Sequence, residues 1–359
     1  MIGRLLVIVL ALFCTSDGRA ADRLNWTELP PLPDPIGFAG PYAGVAGDAL
    51  IVAGGANFPE AAPWEGGTKV WYRDAFVLDA PDGKWRRVAD ALPRPLGYGG
   101  SVTIADGLLC LGGSDAARHY SDVFLLRWDG KRIEVDPFPS LPQPVAHPTA
   151  LLLGDAVYVA GGLESADAAK PLKTFWRLDL SAPAKERRWE ELPPWPGRPR
   201  FLANAGVLNG AIYLAGGVDL VAGAEGTPLR EYLRDAYCYR PAEGWSRLAD
   251  LPMPLAASPG PAIPLGNSQL LFPGGDTGEH ATRVAELQDR HPGFSRALLA
   301  YDAASDTWAT RAELPVPTAV TTWVVNWRGR FVIPTGEIRP GVRTPTVNAA
   351  TLRKTTSDD

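Results

Sequence analysis

The sequence predicts an all-β protein, a six-bladed propeller whose ring closes by pairing its N-terminal strand with its C-terminal blade. Three observations predict it. A short apolar strand ending in a glycine pair recurs six times, a tryptophan precedes five of the copies at a near-constant distance, and the last copy lacks an outer strand that the first residues can supply.

The glycine-pair marker reads LIVAGG (Gly54, Gly55), LLCLGG (Gly112, Gly113), VYVAGG (Gly161, Gly162), IYLAGG (Gly216, Gly217) and LLFPGG (Gly274, Gly275). A sixth copy, FVIPTG, ends in Thr335 and Gly336. The copies lie 58, 49, 55, 58 and 61 residues apart, a spacing that suits one four-stranded blade with a loop of variable length. The second marker is a tryptophan followed by a leucine-proline turn. Trp26, Trp85, Trp189, Trp245 and Trp308 stand 27 to 29 residues ahead of their glycine pairs, so the two markers report one repeating unit. The copy before Gly161 has Glu134 and Val135 near the tryptophan position, and its outer strand is expected to pack differently.

Residues 204–249 show the unit in order. An inner strand over 204–209 turns at Asn209-Gly210, a pair that tolerates the positive φ of tight hairpins, into a second strand over 211–216. A long loop leads to a third strand over 235–240 and an outer strand over 245–249, before Leu251-Pro252. The last copy has strands near 320–326, 330–335 and 346–352 and no fourth. The LNWTELP segment has a fourth strand's tryptophan and no first three, so pairing the termini completes a blade and removes an exposed edge.

Bulk composition agrees. With 46% hydrophobic and 21% charged residues the chain can bury a core and lacks the marks of disorder, while 38 Gly and 35 Pro favour many tight turns over long helices. A net charge of -5 without a basic cluster argues against nucleic-acid and anionic-membrane partners. Arg4, an apolar run over 5–14 and a polar stretch ending in Gly18, Ala20 and Ala21 have the layout of a secretory signal. Residues 1–21 are therefore expected to direct export to the periplasm or medium, leaving 22–359 as one propeller domain. An uncleaved anchor is the alternative, although the run is short for a bilayer. Phe13 before Cys14 is unlike a lipoprotein site. Cys110 and Cys238, each inside an apolar strand, are expected to be buried free thiols.

These repeats resemble kelch repeats over essentially the whole mature chain. A propeller ring serves enzymes, lectin-like binders and interaction scaffolds alike, so residues at one end of the channel must indicate function. Loops between second and third strands gather there: 56–74, 114–121, 163–173, 218–234, 276–296 and 337–345. In the sixth, TGEIRPGVRT (335–344) closely resembles the signature of the sialic acid mutarotases, also called N-acetylneuraminate epimerases. The resemblance implies that Glu337 is the proton acceptor and Arg343 its active-site partner. The stretch from Trp26 through GGANFP to LGYGGSV is similar to a part of that family that follows the signature; here it comes first, as in a cyclically permuted branch. A closed ring tolerates such permutation because its contacts depend on which blades are neighbours. The loop 276–296, with a helix-like stretch over 281–289, is similar to an insertion of the family and could act as a lid.

The chemistry suits these residue types. Interconverting sugar anomers requires removal of the anomeric hydroxyl proton and supply of a proton to the ring oxygen, so that the ring opens and closes on the other face. Arg343 could bind a sugar-acid carboxylate or hold Glu337 ionised; the sequence leaves both roles open. Arg200 in GRPR, Asn57 and Tyr98 are further substrate-binding candidates, beside the duller readings of a turn-stabilising Asn and a packed Tyr. His119, His147, His280 and His291 show no HxxxH or HxH spacing, so no metal is expected, and no cofactor; the copper-radical oxidases that share the fold need ligands that cannot be placed here. The expected partner is a small sugar or sugar acid. A non-catalytic propeller that binds a glycan or protein is the competing reading, and a mutarotase for another sugar is a third.

Overall fold

A computed structural model of the chain describes residues 24–223, 227–316 and 318–352. The segment 1–21, read above as an export signal, lies outside the described residues. Among those described, no helix is long and apolar enough to cross a membrane.

Six four-stranded antiparallel sheets follow one another along the chain. Blade 1 comprises Tyr42–Ala46, Ala49–Ala53, Ala75–Leu78 and Arg86–Val88; blade 2 comprises Gly100–Ile104, Gly107–Leu111, Val123–Trp128 and Ile133–Phe138. Blade 3 is built from Thr149–Leu153, Ala156–Ala160, Phe175–Asp179 and Trp189–Glu191, and blade 4 from Asn204–Leu208, Ala211–Ala215, Ala236–Arg240 and Gly244–Leu248. Blade 5 contains Ile263–Leu265, Gln269–Gly275, Ser295–Asp302 and Thr307–Glu313. Val325–Trp327, Arg330–Arg339 and Val342–Leu352 make three strands of blade 6, and Leu24–Leu29 is the fourth. It pairs antiparallel with the C-terminal strand in a register running from Leu24 opposite Leu352 to Leu29 opposite Val347, the closure expected from the sequence.

The second strands are apolar on both faces because each blade is covered by a neighbour on both sides; every residue of Ala49–Ala53, Gly107–Leu111, Ala156–Ala160 and Ala211–Ala215 is buried. Cys110 and Cys238 lie in this interior as buried free thiols. The tryptophan marker has a polar purpose as well as a packing one. The indole N–H groups of Trp85, Trp189, Trp245 and Trp308 donate to the carbonyls of Pro30, Pro139, Pro193 and Ala249 at 2.7, 2.8, 3.0 and 2.9 Å, tying each outer strand to the turn after the preceding blade's outer strand. Blade 2 lacks that tryptophan and does pack differently. Trp128 of its third strand donates to Asp79 Oδ1 at 3.3 Å and lies under the Arg86 guanidinium, 4.7 Å from the ring centre.

Around the channel the blades are joined by a closed circle of backbone hydrogen bonds. Gly40 N donates to Thr321 O, Thr321 to Ala257, Ala257 to Leu202, Leu202 to His147, His147 to Tyr98 and Tyr98 back to Gly40, with lengths of 2.7 to 3.2 Å. All six residues are left-handed, with φ between 53° and 62°, although five carry side chains for which that region is unfavourable. The residue before each of them forms an antiparallel bridge with the residue after a glycine pair: Ala39 with Ala56, Gly97 with Ser114, Ala146 with Leu163, Phe201 with Val218, Ala256 with Asp276 and Val320 with Glu337.

Two of the segments expected to be loops are hairpins. Residues 337–345 continue the second and third strands of blade 6, and 218–234 contain the paired strands Val218–Ala222 and Pro228–Tyr232. Both carry alternating side chains that a strand can place on opposite faces, a pattern hidden by their Gly and Pro content. The inner strand expected near 320–326 begins later, at Val325, because Val320 and Thr321 belong to the bridge and circle just described. Thr335 occupies the position that glycine holds in the other five pairs, at φ 49°. Its hydroxyl offsets that strain by accepting from Phe38 N at 2.8 Å and donating to Thr344 O at 2.7 Å.

A Cβ added to Gly40 would lie 2.3 Å from Tyr98 Cδ1 and would stand on a left-handed backbone. Gly40→Ala is expected to lower the free energy of unfolding by about 2 kcal/mol or more, measured by urea titration of tryptophan fluorescence.

Candidate functional site

One end of the channel opens into a cavity of about 650 Å³, with walls drawn from the loops of all six blades. That volume falls within the roughly 300–1,000 Å³ usual for small-molecule sites. The circle of hydrogen bonds forms its floor, since Tyr98, His147, Leu202, Ala257 and Thr321 line both this cavity and a much smaller one beyond.

Glu337 and Arg343 meet here because the sixth loop is a hairpin. They are directly opposite in its register, which places both side chains on one face of the ribbon. Arg343 Nη1 lies 3.2 Å from Glu337 Oε1, and the same oxygen accepts from Gly341 N at 2.8 Å. The Arg343 side chain is 3% exposed and that of Glu337 19%, so the carboxylate is the more accessible member. The Arg343 guanidinium packs over Phe58, 4.7 Å from the ring centre, and its Nε and Nη1 lack an aligned hydrogen-bond acceptor. The ion pair is thus a charge contact with donor capacity to spare, which an oxygen-rich ligand would use. The Glu337 backbone exchanges two hydrogen bonds with Val320, so the carboxylate is anchored one residue from the floor. The equivalent position in blade 5 is Asp276, whose carboxylate accepts from Tyr232 Oη and Gly278 N, both at 2.9 Å.

Tyr98, expected to bind substrate, lines the cavity beside this pair. Burial pushes its phenol up to about 12, against the opposing effect of the Arg343 charge, so it remains protonated at neutral pH. Neither Arg200 nor Asn57 lines the cavity. Arg200 is buried with its donors engaged: Nη2 with Asp235 at 2.7 Å, Nη1 with Gly216 O at 2.8 Å and Nε with Arg198 O at 3.3 Å. It joins the segment before blade 4 to that blade instead of presenting itself to a ligand. Burial works against ionisation of Asp235, but the bond and charge of Arg200 and the Tyr237 hydroxyl outweigh it, and its pKa falls below the usual carboxylate range. Asn57 is likewise internal, donating to Gly37 O at 2.9 Å and accepting from Tyr72 Oη at 2.8 Å.

Sequence reasoning missed Lys69, Arg230 and His147, which all line the cavity. Lys69 Nζ lies 5.4 Å from the ring centres of Trp71 and Tyr98 and 5.8 Å from that of Phe58. Burial lowers its pKa, the Arg343 and Arg230 charges act in the same direction, and Glu337 opposes them. His147, on the floor, is pulled down to about 3 by burial, with smaller effects from His119, Arg230 and Lys69. It is therefore neutral near pH 7 and can exchange hydrogen bonds with hydroxyl groups. Position in a loop between second and third strands, for Lys69 and Arg230, or before an inner strand, for His147, was a usable signal, but residue type alone did not separate them from solvated neighbours. The expected helix-like stretch is present as short helical turns over 281–290, with Ala281 and Val284 against the cavity. Among the described residues no group of three or more His, Cys, Asp or Glu could hold a metal ion.

Residues 15–135 match the family N-acetylneuraminate epimerase. Over part of its length the chain is similar to the N-acetylneuraminate epimerases. It is 42% identical to the N-acetylneuraminate epimerase of Brucella suis over 123 residues, 31% of each chain, and 29% identical to that of Haemophilus influenzae over 227 residues, covering 58% of this chain and 57% of the relative. The chain thus spans about a third of the length of the Brucella relative that it matches. A broader similarity, 26% over 321 residues, links it to the kelch-like protein terF of Aspergillus terreus, covering 85% of this chain and 62% of that one. The solved structure titled "Structure of YjhT" superposes with a TM-score of 0.65 over 91% of this chain and 98% of that one; at 17% identity it speaks for the fold. The family match includes the stretch from Trp26 to Val102 and stops well before Glu337 and Arg343.

Two measurements follow from this geometry. Arg200→Ala would leave Asp235 partly buried and unpaired, and denaturant unfolding should show a loss of about 3 kcal/mol. His147 is neutral when folded, whereas its unfolded form takes up a proton below its ordinary value of 6.5, so it contributes stability that is present above that pH and lost as pH falls toward about 3. Because a single proton is taken up, the slope is at most about 1.4 kcal/mol per pH unit. His147→Asn, which tolerates the left-handed backbone, should flatten the native pH-stability curve over that window by up to this amount.

Proposed function

We propose that the protein is a mutarotase that interconverts the anomers of N-acetylneuraminate or a closely related sugar. The observation that carries this reading is the Glu337–Arg343 pair, at 3.2 Å, held on the wall of a sugar-sized cavity within a segment that resembles the family signature. Kinship with proteins named N-acetylneuraminate epimerase supports the substrate. Closure of blade 6 by Leu24–Leu29 gives a ring whose blade neighbours do not depend on where the chain is cut, as the cyclic permutation requires. The N-terminal segment supports action outside the cytoplasm.

In this mechanism Glu337 accepts the anomeric hydroxyl proton. The hydroxyl oxygen forms the carbonyl as the bond from anomeric carbon to ring oxygen breaks, and the ring oxygen takes up a proton supplied by solvent in the open cavity. The open chain rotates about the bond next to the carbonyl and recloses on the opposite face, returning both protons. Net chemistry is nil, so neither oxidant nor cofactor is consumed. Arg343 positions the carboxylate and balances its charge before the proton is accepted and again once it has been returned.

The test is to mix purified protein with freshly dissolved α-N-acetylneuraminate and follow anomer signals by NMR. Acceleration over buffer is expected, with a loss of about 10²-fold or more in Glu337→Gln. A folded native protein that leaves the buffer rate unchanged, or full activity in Glu337→Gln, would overturn the reading. Saturable sugar binding without acceleration would favour the non-catalytic propeller.

A further inference from the structure

The cavity's charges are unevenly matched. Asp115 accepts bonds from Tyr120 Oη and the Ala117 and Arg118 amides, Asp276 is held by Tyr232 and Gly278, and Glu337 is balanced by Arg343. Lys69 and Arg230 remain. Among the described residues neither has a carboxylate within ion-pair distance, although both line the cavity and both act on His147 of its floor. Trp71, Tyr98 and Phe58 surround the Lys69 ammonium, with ring centres 5.4 to 5.8 Å away. Such rings hold a cation in place without neutralising it, so its attraction for an anion is retained.

Position relative to Glu337 gives this cation a specific use. Phe58 packs against both Lys69 and Arg343, and Arg343 contacts Glu337, so the lysine and the general base are separated by one shared ring and one guanidinium. In N-acetylneuraminate the anomeric carbon bears both the hydroxyl to be deprotonated and the carboxylate. A carboxylate anchor for such a sugar must therefore stand beside the base. Arg230 comes from blade 4, opposite blade 1 in a ring of six, and supplies a second cation toward the same space.

We propose that Lys69, assisted by Arg230, binds the carboxylate of an anionic sugar and makes the site selective for sugar acids, leaving Arg343 to hold Glu337. The assignment rests on the mutarotase reading for the orientation of the sugar, but its test reads binding alone. Isothermal titration calorimetry compares N-acetylneuraminate with its neutral methyl ester on native protein and on Lys69→Met, Lys69→Arg and Arg230→Met. The native protein should bind the acid about tenfold or more tightly than the ester. That preference should collapse in Lys69→Met, weaken in Arg230→Met and return in Lys69→Arg, while the affinity for the ester stays near native in all three. These results support the anchor whether or not the protein accelerates anomerisation. Equal native affinity for acid and ester, no binding of either, or a preference that survives Lys69→Met would overturn it. A Lys69→Met variant that loses acid and ester equally would show a structural role and would overturn it as well.

Discussion

The closed circle of six backbone hydrogen bonds around the channel is the constraint on which the rest of this structure depends. Each bond joins a different pair of neighbouring blades, so the inner edges cannot shift independently. Five side-chain-bearing residues accept a left-handed backbone to take part, a local cost of about 1 kcal/mol each that is tolerable because the geometry is shared around a ring with no free end. Four tryptophan-to-carbonyl bonds tie outer edges of neighbouring blades, and Trp128 with Arg86 takes that part between blades 1 and 2.

The candidate site is a consequence of that floor. Because Glu337 is bridged to Val320, its backbone is as firmly placed as the circle itself, and the hairpin register then leaves Arg343 a single place to stand. Thr335 adds a tie between this hairpin and Phe38, just beyond the strand that closes the ring. The position equivalent to Glu337 in blade 5 has Asp276 in a different setting, engaged by a tyrosine, which shows how one scaffold position can be given different chemistry in different blades.

A protein with a net charge of -5 nevertheless concentrates Lys69, Arg230 and Arg343 around one cavity, with an uncharged His147 beneath them. Low solvent access strengthens the charge of Arg343, and the aromatic faces of Phe58, Trp71 and Tyr98 restrict where the lysine can go. Such a pocket favours small ligands with one anionic group and many hydroxyls over purely apolar ones.

Much of this was legible in the residues alone. Repeat number, strand order in blade 4, closure through Leu24–Leu29, the buried thiols and the placement of Glu337, Arg343 and Tyr98 at one end of the channel all follow from periodicity and motif, because a repeat fixes position by counting. Arg200 and Asn57 went the other way. A rim-facing arginine and one locked to Asp235 have the same local sequence, and contacts 35 residues away decide between them. Lys69 and Arg230 were invisible for the converse reason: their meaning comes from what converges on the cavity from different blades. Sequence thus determined the architecture, which repeats, and tertiary structure alone decided which side chains face the cavity, since burial and charge balance are properties of neighbours brought together by the closed ring.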